Sequence, residues 1–214
     1  LATDFLEGLA AMDDLSDEER DCLSANIAWL ERTDPDDWHR VALDFNWSEP
    51  LYLLDWIVRR AECDVATALT IFWKGEPGYW IADESRLADK PNGFSYLNKH
   101  MCAYIATRIG EGGYSRSKIA YAPDTWTKKD YVDLAARAAQ LEKPKFGVHP
   151  DLIRDRAGYS VVNDPAFYAR YPDAFHHSFF CELPAETPKA RALMDRVQQI
   201  EKATSRLLPS WLRR

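Results

Sequence analysis

His176 and His177 stand five and four residues before Cys181, and imidazole with thiolate is a zinc-ligand set. Adjacent histidines point about 100° apart on a helix and to opposite faces of a strand, so regular structure cannot aim both at one ion. No other ligand stands at the spacing of a zinc site, so no metal is expected. Asp64 with His149, His176 or His177 would make an acid–base site if the fold brought them together, since a carboxylate and an imidazole in one cleft can move a proton. No nucleophile motif accompanies them. The chain lacks G-x-S-x-G, H-E-x-x-H and a phosphate-binding glycine loop, and Gly110-Glu111-Gly112-Gly113 lacks the preceding strand and following lysine of a phosphate site. No cofactor is expected. The acidic run over residues 13–21 reads as a solvated helix face, where nothing shifts a pKa toward catalysis.

The strongest mark of a binding surface is aromatic. Tyr159, Phe167, Tyr168, Tyr171, Phe175, Phe179 and Phe180 fall in a stretch, 144–184, punctuated by Pro144, Pro150, Pro165, Pro172 and Pro184. Helical periodicity fails there, and long irregular segments often carry function. Tyr159, Tyr168 and Phe175, with His176 and His177, are the candidate partner-binding residues, because aromatics dominate interface hot spots. The alternative use of the same residues is to anchor an irregular segment onto a helical body.

The elements that must position these residues read as helices. Ser16 and Glu19 form a capping box ahead of Cys22/Leu23, Ile27 and Leu30. Asp34-Pro35 opens a second helix, running to about Phe45 and closed by Asn46 in a left-handed conformation. Ser48-Glu49-Pro50 starts a third, with Leu51, Leu54, Trp56/Ile57 and Val58 on one face. Asp64 caps a fourth, Val65 to Trp73, apolar almost all round and so expected to be the most buried; Gly75, Pro77 and Gly78 end it. Asn92 caps a long helix from Gly93 to Ile109, Ser117–Tyr121 is a short extended piece, and Thr127 to Asp130 opens another helix. Thr187-Pro188 begins the last. The expected fold is all-α, a bundle or helical-repeat-like array of about seven helices with an irregular segment near 144–184.

Composition sets the outer limits. The 214 residues are 46% hydrophobic, with eight Trp, ten Tyr and nine Phe, enough for a substantial core. No apolar run is long enough to cross a membrane, and residues 1–20, with seven acidic side chains and one basic, have the wrong charge for a signal peptide, so a cytoplasmic protein is expected. Cys22, Cys63, Cys102 and Cys181 are far apart and form no CxxC, which reads as buried reduced thiols. Net charge is −7, but residues 1–90 hold 21 acidic and 8 basic side chains and residues 91–214 hold 13 and 19. An acidic helical region (1–90) and a more basic one (91–214), packed as one globular unit, are expected. The asymmetry has two readings: the halves dock on each other, or the acidic surface meets a basic protein partner. The basic residues are scattered, which argues against nucleic acid.

One stretch has a more specific pattern. Asn46-Trp47 is followed by Pro50 and an apolar helix, then a Cys63-Asp64 step and Thr67-Ala68-Leu69 leading to Phe72-Trp73. From Asp34 to Trp80 the chain resembles the bacterial domain-of-unknown-function family DUF4274. The resemblance implies no activity. Asn46, Trp47, Asp64, Thr67 and Trp73 each suit a structural place: Asn46 ends a helix, Asp64 caps one, Thr67 bonds back to a carbonyl or to Asp64, and the tryptophans fill the core. The sequence therefore favours a non-catalytic protein-interaction module, of the immunity or antagonist type by analogy, over an enzyme with an acid–base site between the helical body and 144–184.

Overall fold

The computed structural model describes residues 16–82 and 94–171, and among these the protein is all-α, with eight helices and no strands. They are α1 (Asp17–Leu30), α2 (Pro35–Asp44), α3 (Tyr52–Arg59), α4 (Val65–Lys74), α5 (Pro77–Trp80), α6 (Phe94–Gly110), α7 (Thr125–Gln140) and α8 (Pro165–Arg170), with a 3-10 turn at Pro150–Leu152. Local chemistry sets most of the starts. The capping box at α1 is complete, with Glu19 reaching back to the Ser16 N–H at 2.7 Å. Asp34 accepts the N–H groups of Asp36 and Asp37, with Pro35 in the first turn. Asp64 caps α4.

Three starts differ from the sequence reading. The third helix begins at Tyr52 rather than at Pro50, and its cap residue Leu51 makes no side-chain bond. Helix α7 begins at Thr125 because Asp124, not Thr127, is its cap, accepting the Thr127 N–H at 2.7 Å. Within the segment expected to be irregular, Asp164-Pro165 opens α8 by the same Asp-Pro device that opens α2. The short α5 was also unforeseen, since Gly75, Pro77 and Gly78 read only as a stop. Asn92, Phe175, His176, His177, Cys181 and the helix expected from Thr187 lie outside the described residues.

Helix α4 packs against α2, α3 and α6, and its residues Val65, Ala66, Thr67, Ala68, Leu69, Ile71 and Phe72 are buried. It shares the centre with α3, which buries seven of its eight residues, a larger fraction than α4. One apolar cluster runs from Leu23 through α2–α4 and α6 to Leu134, Phe146 and Tyr171. The segment after α7 is pinned onto α4: Phe146 meets Phe72 edge-on at 5.9 Å, and the Trp73 indole donates to the Leu152 carbonyl at 2.9 Å. Gly75 lets α5 fold back tightly, because a Cβ there would lie 2.7 Å from Asn98 Oδ1 on α6. Among the described residues no helix is long and apolar enough to cross a membrane. Cys63 and Cys102 are buried free thiols whose pKa burial pushes up, while Cys22 is partly exposed.

Candidate functional site

The residues of the 46–73 motif are spent on architecture. Asn46 does not adopt the left-handed conformation; Glu76 alone among the described non-glycine residues has a positive φ. Instead the Asn46 side chain accepts the Ser48 N–H at 2.9 Å, forming an Asx turn between α2 and α3. Trp47 lies edge-on to Phe45 and is only partly buried, so it flanks the core rather than filling it. Trp73 is likewise at the core's edge. Asp64, fully buried, does more than cap α4: Oδ1 takes the Ala66 N–H at 2.9 Å, and Oδ2 takes the N–H groups of Lys118 (2.8 Å) and Ile119 (3.3 Å), with Arg116 at 3.5 Å. Thr67 bonds neither to a carbonyl nor to Asp64. Its hydroxyl lies 3.0 Å from Nδ1 of His39, and both are buried. Burial holds the His39 imidazole down at about 4 against the nearby charges of Asp64 and Asp36, so it is neutral at pH 7. A hydroxyl beside a neutral imidazole and a carboxylate is the material of a nucleophile with its base. Here Thr67 has no exposed surface and Asp64 is occupied by backbone donors, so no substrate atom can reach them.

The other proposed acid–base partner, His149, is exposed and accepts the Asp151 N–H at 3.2 Å, capping the 3-10 turn. Its contacts are with Asp151 and not with Asp64. The aromatic candidates divide. Tyr168 is buried and its hydroxyl donates to Asp44, so its ring is held inside the molecule, as are Phe167 and Tyr171. Tyr159 keeps 45% of its surface, while its hydroxyl donates to Asp36 at 2.8 Å and accepts from Arg116 at 2.9 Å.

These contacts consume much of the acidic charge of α2. Asp36 pairs with Arg116, Asp37 with Arg40 and Arg170, and Asp44 accepts from Asn163 and Tyr168. Among the described residues, three acidic side chains that form no ion pair there border a cavity elsewhere. Between α5 and α7 lies a cleft of about 390 Å³ lined by Trp73, Glu76, Pro77, Gly78, Tyr79, Asp130, Asp133, Leu134 and Arg137. Its base is rigid: Leu134 and Pro77 are buried, and Trp73 is held by its bond to Leu152. Its rim is exposed. Tyr79 retains 71% of its surface; Trp126, one turn before Asp130 on α7, is as exposed but is not among the lining residues.

Glu76 is the anomaly of this cleft. Its φ of 52° and ψ of 59° place it in the left-handed region, which suits Gly or Asn. It also precedes Pro77, which disfavours compact conformations. At the N-cap position of α5 its side chain caps nothing. Neither conformation nor capping calls for glutamate here, and Glu76 is one of the residues that line the cleft. The carboxylates are not gathered for a metal ion: among the described residues no group of three or more His, Cys, Asp or Glu side chains is so placed.

Sequence reasoning passed over His39, Glu76, Trp126, Asp130 and Asp133. His39 sat at the fringe of the Trp38/Val41/Ala42/Phe45 stripe, which marks half-buried polar positions. Glu76, between Gly75 and Pro77, stood where a turn residue belongs. Trp126, Asp130, Asp133 and Arg137 recur at helical spacing, but nothing in the sequence tells an exposed stripe from a cleft wall.

The fold and the cleft define an all-α protein with an acidic, aromatic-rimmed surface recess. Residues 33–93 match the family model described as Domain of unknown function (DUF4274). The match spans α2 to α5 and so includes the Glu76–Tyr79 wall of the cleft, while the α7 wall lies beyond it. No curated protein and no solved structure matches the chain.

Proposed function

We propose that the protein is a non-catalytic binding module that recognises a basic protein partner, an antagonist or immunity-type role by analogy. The observation that carries this is the α5–α7 cleft, where Glu76, Asp130 and Asp133 form no ion pair among the described residues and stand beside the Tyr79 ring, which is 71% exposed. Most acidic side chains of α2 are already neutralised within the molecule, so these carboxylates are not part of the internal docking. Exposed aromatics among unpaired charges are what interface anchors are made of. The buried Thr67–His39 pair and the isolated His149 give the enzymatic alternative no accessible site among the described residues.

The test is to capture the partner from the protein's own cells with tagged protein, purify it, and measure association rates across a salt series. The expected partner is basic, and association should slow by roughly tenfold or more between about 0.05 and 0.5 M salt, as exposed charges become screened. Association indifferent to salt overturns the reading. So does turnover of a small molecule that a single His or Asp substitution abolishes without unfolding the protein.

A further inference from the structure

We propose that residues 156–163 form a strap over the seam between α2 and α4, and that mild acid lifts it; the device is independent of the α5–α7 cleft. The first ground is how the strap is fastened. Asp36, Arg40 and Asp44 stand four residues apart and so share one face of α2. The strap is tied to all three. The Tyr159 hydroxyl donates to Asp36 at 2.8 Å, the Val162 carbonyl accepts from Arg40 Nε at 3.2 Å, and Asn163 donates to the Arg40 carbonyl at 3.1 Å and to the Asp44 carboxylate. Its backbone also pairs with 118–121, where the Ala120 N–H donates to the Tyr159 carbonyl at 2.9 Å and the Tyr159 N–H to the Lys118 carbonyl at 3.0 Å. These ties are polar. Of residues 156–163 only Val161 is buried, in a cluster with Ala66 and Ile119 that is separate from the main core. A segment with so little apolar anchorage opens at a fraction of the free energy of global unfolding.

The second ground is what lies in the seam. Asp36 and His39 occupy one turn of α2, and Asp64 and Thr67 occupy the facing turn of α4. Arg116 bridges the two carboxylates, and His39 meets Thr67. Val161 packs with Ala66, the residue before Thr67. Burial keeps the His39 imidazole neutral, its pKa held down at about 4; Asp64 and Asp36 pull toward the charged form, and Arg40 and Lys74 oppose it. From the covering segments, Arg116 and Tyr159 face the same carboxylates. Lifting the strap admits water to the seam, and the ring regains its ordinary value of 6.5. The open form therefore binds a proton between about pH 6.5 and 4 that the closed form does not, so the closed form loses stability as pH falls through that window.

The experiment is native-state hydrogen exchange of the isotopically labelled full chain at pH 7 and pH 5, read as protection factors so that the intrinsic pH dependence of exchange divides out. Exposed carboxylates still carry their charge at pH 5. The reporters are the amides of Ala120, Tyr121, Arg156 and Tyr159, which bond across the strap. At pH 7 they should be less protected than the amides of α3 and depend more weakly on denaturant. Their protection should fall about twentyfold from pH 7 to pH 5. His39→Gln, which leaves a polar group beside Thr67, should abolish that fall. Tyr159→Phe removes a surface hydroxyl and should lower protection severalfold at both pH values, with the fall retained. Reporters that match α3 in protection and in denaturant dependence overturn the strap, as does a Tyr159→Phe variant as protected as wild type. Protection equal at pH 7 and pH 5 in wild type overturns acid opening whether or not His39→Gln folds. A fall that persists in a folded His39→Gln variant overturns the role of His39.

Discussion

A single carboxylate, Asp64, shows how a residue assigned one local role can hold several elements at once. Sequence position identifies it as the cap of α4, and a cap tolerates asparagine. The structure gives its second oxygen two further N–H donors and an arginine, all without solvent. Asparagine would turn an NH2 group toward those donors. Asp64→Asn should therefore cost about 2–4 kcal/mol, close to Asp64→Ala, because a buried charge-assisted set of bonds is broken in both. Denaturant titration of the two variants decides it; an Asn variant as stable as wild type would return Asp64 to the role of a simple cap. His39 gives a pH-dependent counterpart. Its pKa is lowered to about 4 in the folded protein, chiefly by burial, from 6.5 when exposed. The unfolded chain thus takes up a proton first as pH falls, so stability is lost from about pH 6.5 down to about 4, by an amount on the order of 3 kcal/mol. Unfolding free energies at pH 7 and pH 4 should differ less in His39→Gln than in wild type by that amount, and an equal pH dependence would show that His39 is not the group responsible.

At the scale of elements, legibility followed chemistry that is local in sequence. The starts of α1, α2 and α4 were readable because Ser16, Asp34 and Asp64 satisfy backbone donors within three residues. The start of α3 was misplaced because Ser48-Glu49-Pro50 has the composition of a cap, whereas Asn46 uses that stretch as a turn. Helix α5 was invisible for a different reason: its fold-back depends on Gly75 lying against Asn98 and on the Trp80 indole reaching the Gly75 carbonyl at 2.8 Å, contacts made only in three dimensions. The candidate cleft shared that fate, since one wall is α5 and the other lies some fifty residues on in α7. Glu76 offers a direct test of whether this junction trades stability for binding. Glu76→Gly removes the side chain that makes a left-handed pre-proline residue costly, so it should stabilise the protein by about 0.5–1 kcal/mol. It also removes an acidic side chain at the cleft, so it should weaken binding of the captured basic partner. A variant that is both less stable and equally competent to bind would mean that the strain serves neither end.

Over the whole molecule, the uneven charge of the sequence resolves into two populations. Part of the acidic first half is answered within the chain: Arg116 bridges Asp36 on α2 and Asp64 at the head of α4 and reaches Tyr159, while Arg170 reaches Asp37 from α8. Composition announced that asymmetry but could not say which acids it would leave unanswered, because Arg116 and Asp36 are 80 residues apart and meet only after folding. The aromatic segment is divided in the same way, with Phe167, Tyr168 and Tyr171 as anchors and Tyr159 half outside. Arg116 is the natural place to test how strongly the two regions depend on each other. Its side chain is only 19% exposed, so its ion pairs are poorly screened. Arg116→Met keeps the bulk of the side chain but leaves Asp36 and the buried Asp64 without their cation, and should cost about 3 kcal/mol. That loss should be nearly the same at about 0.05 and 0.5 M salt. Tryptophan fluorescence reports α1–α4, which hold most of the described indoles, and far-ultraviolet dichroism reports all helices. If the two regions fold as one unit, both signals should move together in wild type and variant alike, with a single lowered midpoint in the variant. If they separate once Arg116 is replaced, the acidic and basic regions are independent bodies joined by this bridge. If the loss vanishes at high salt, the network is surface charge and does not hold the regions together.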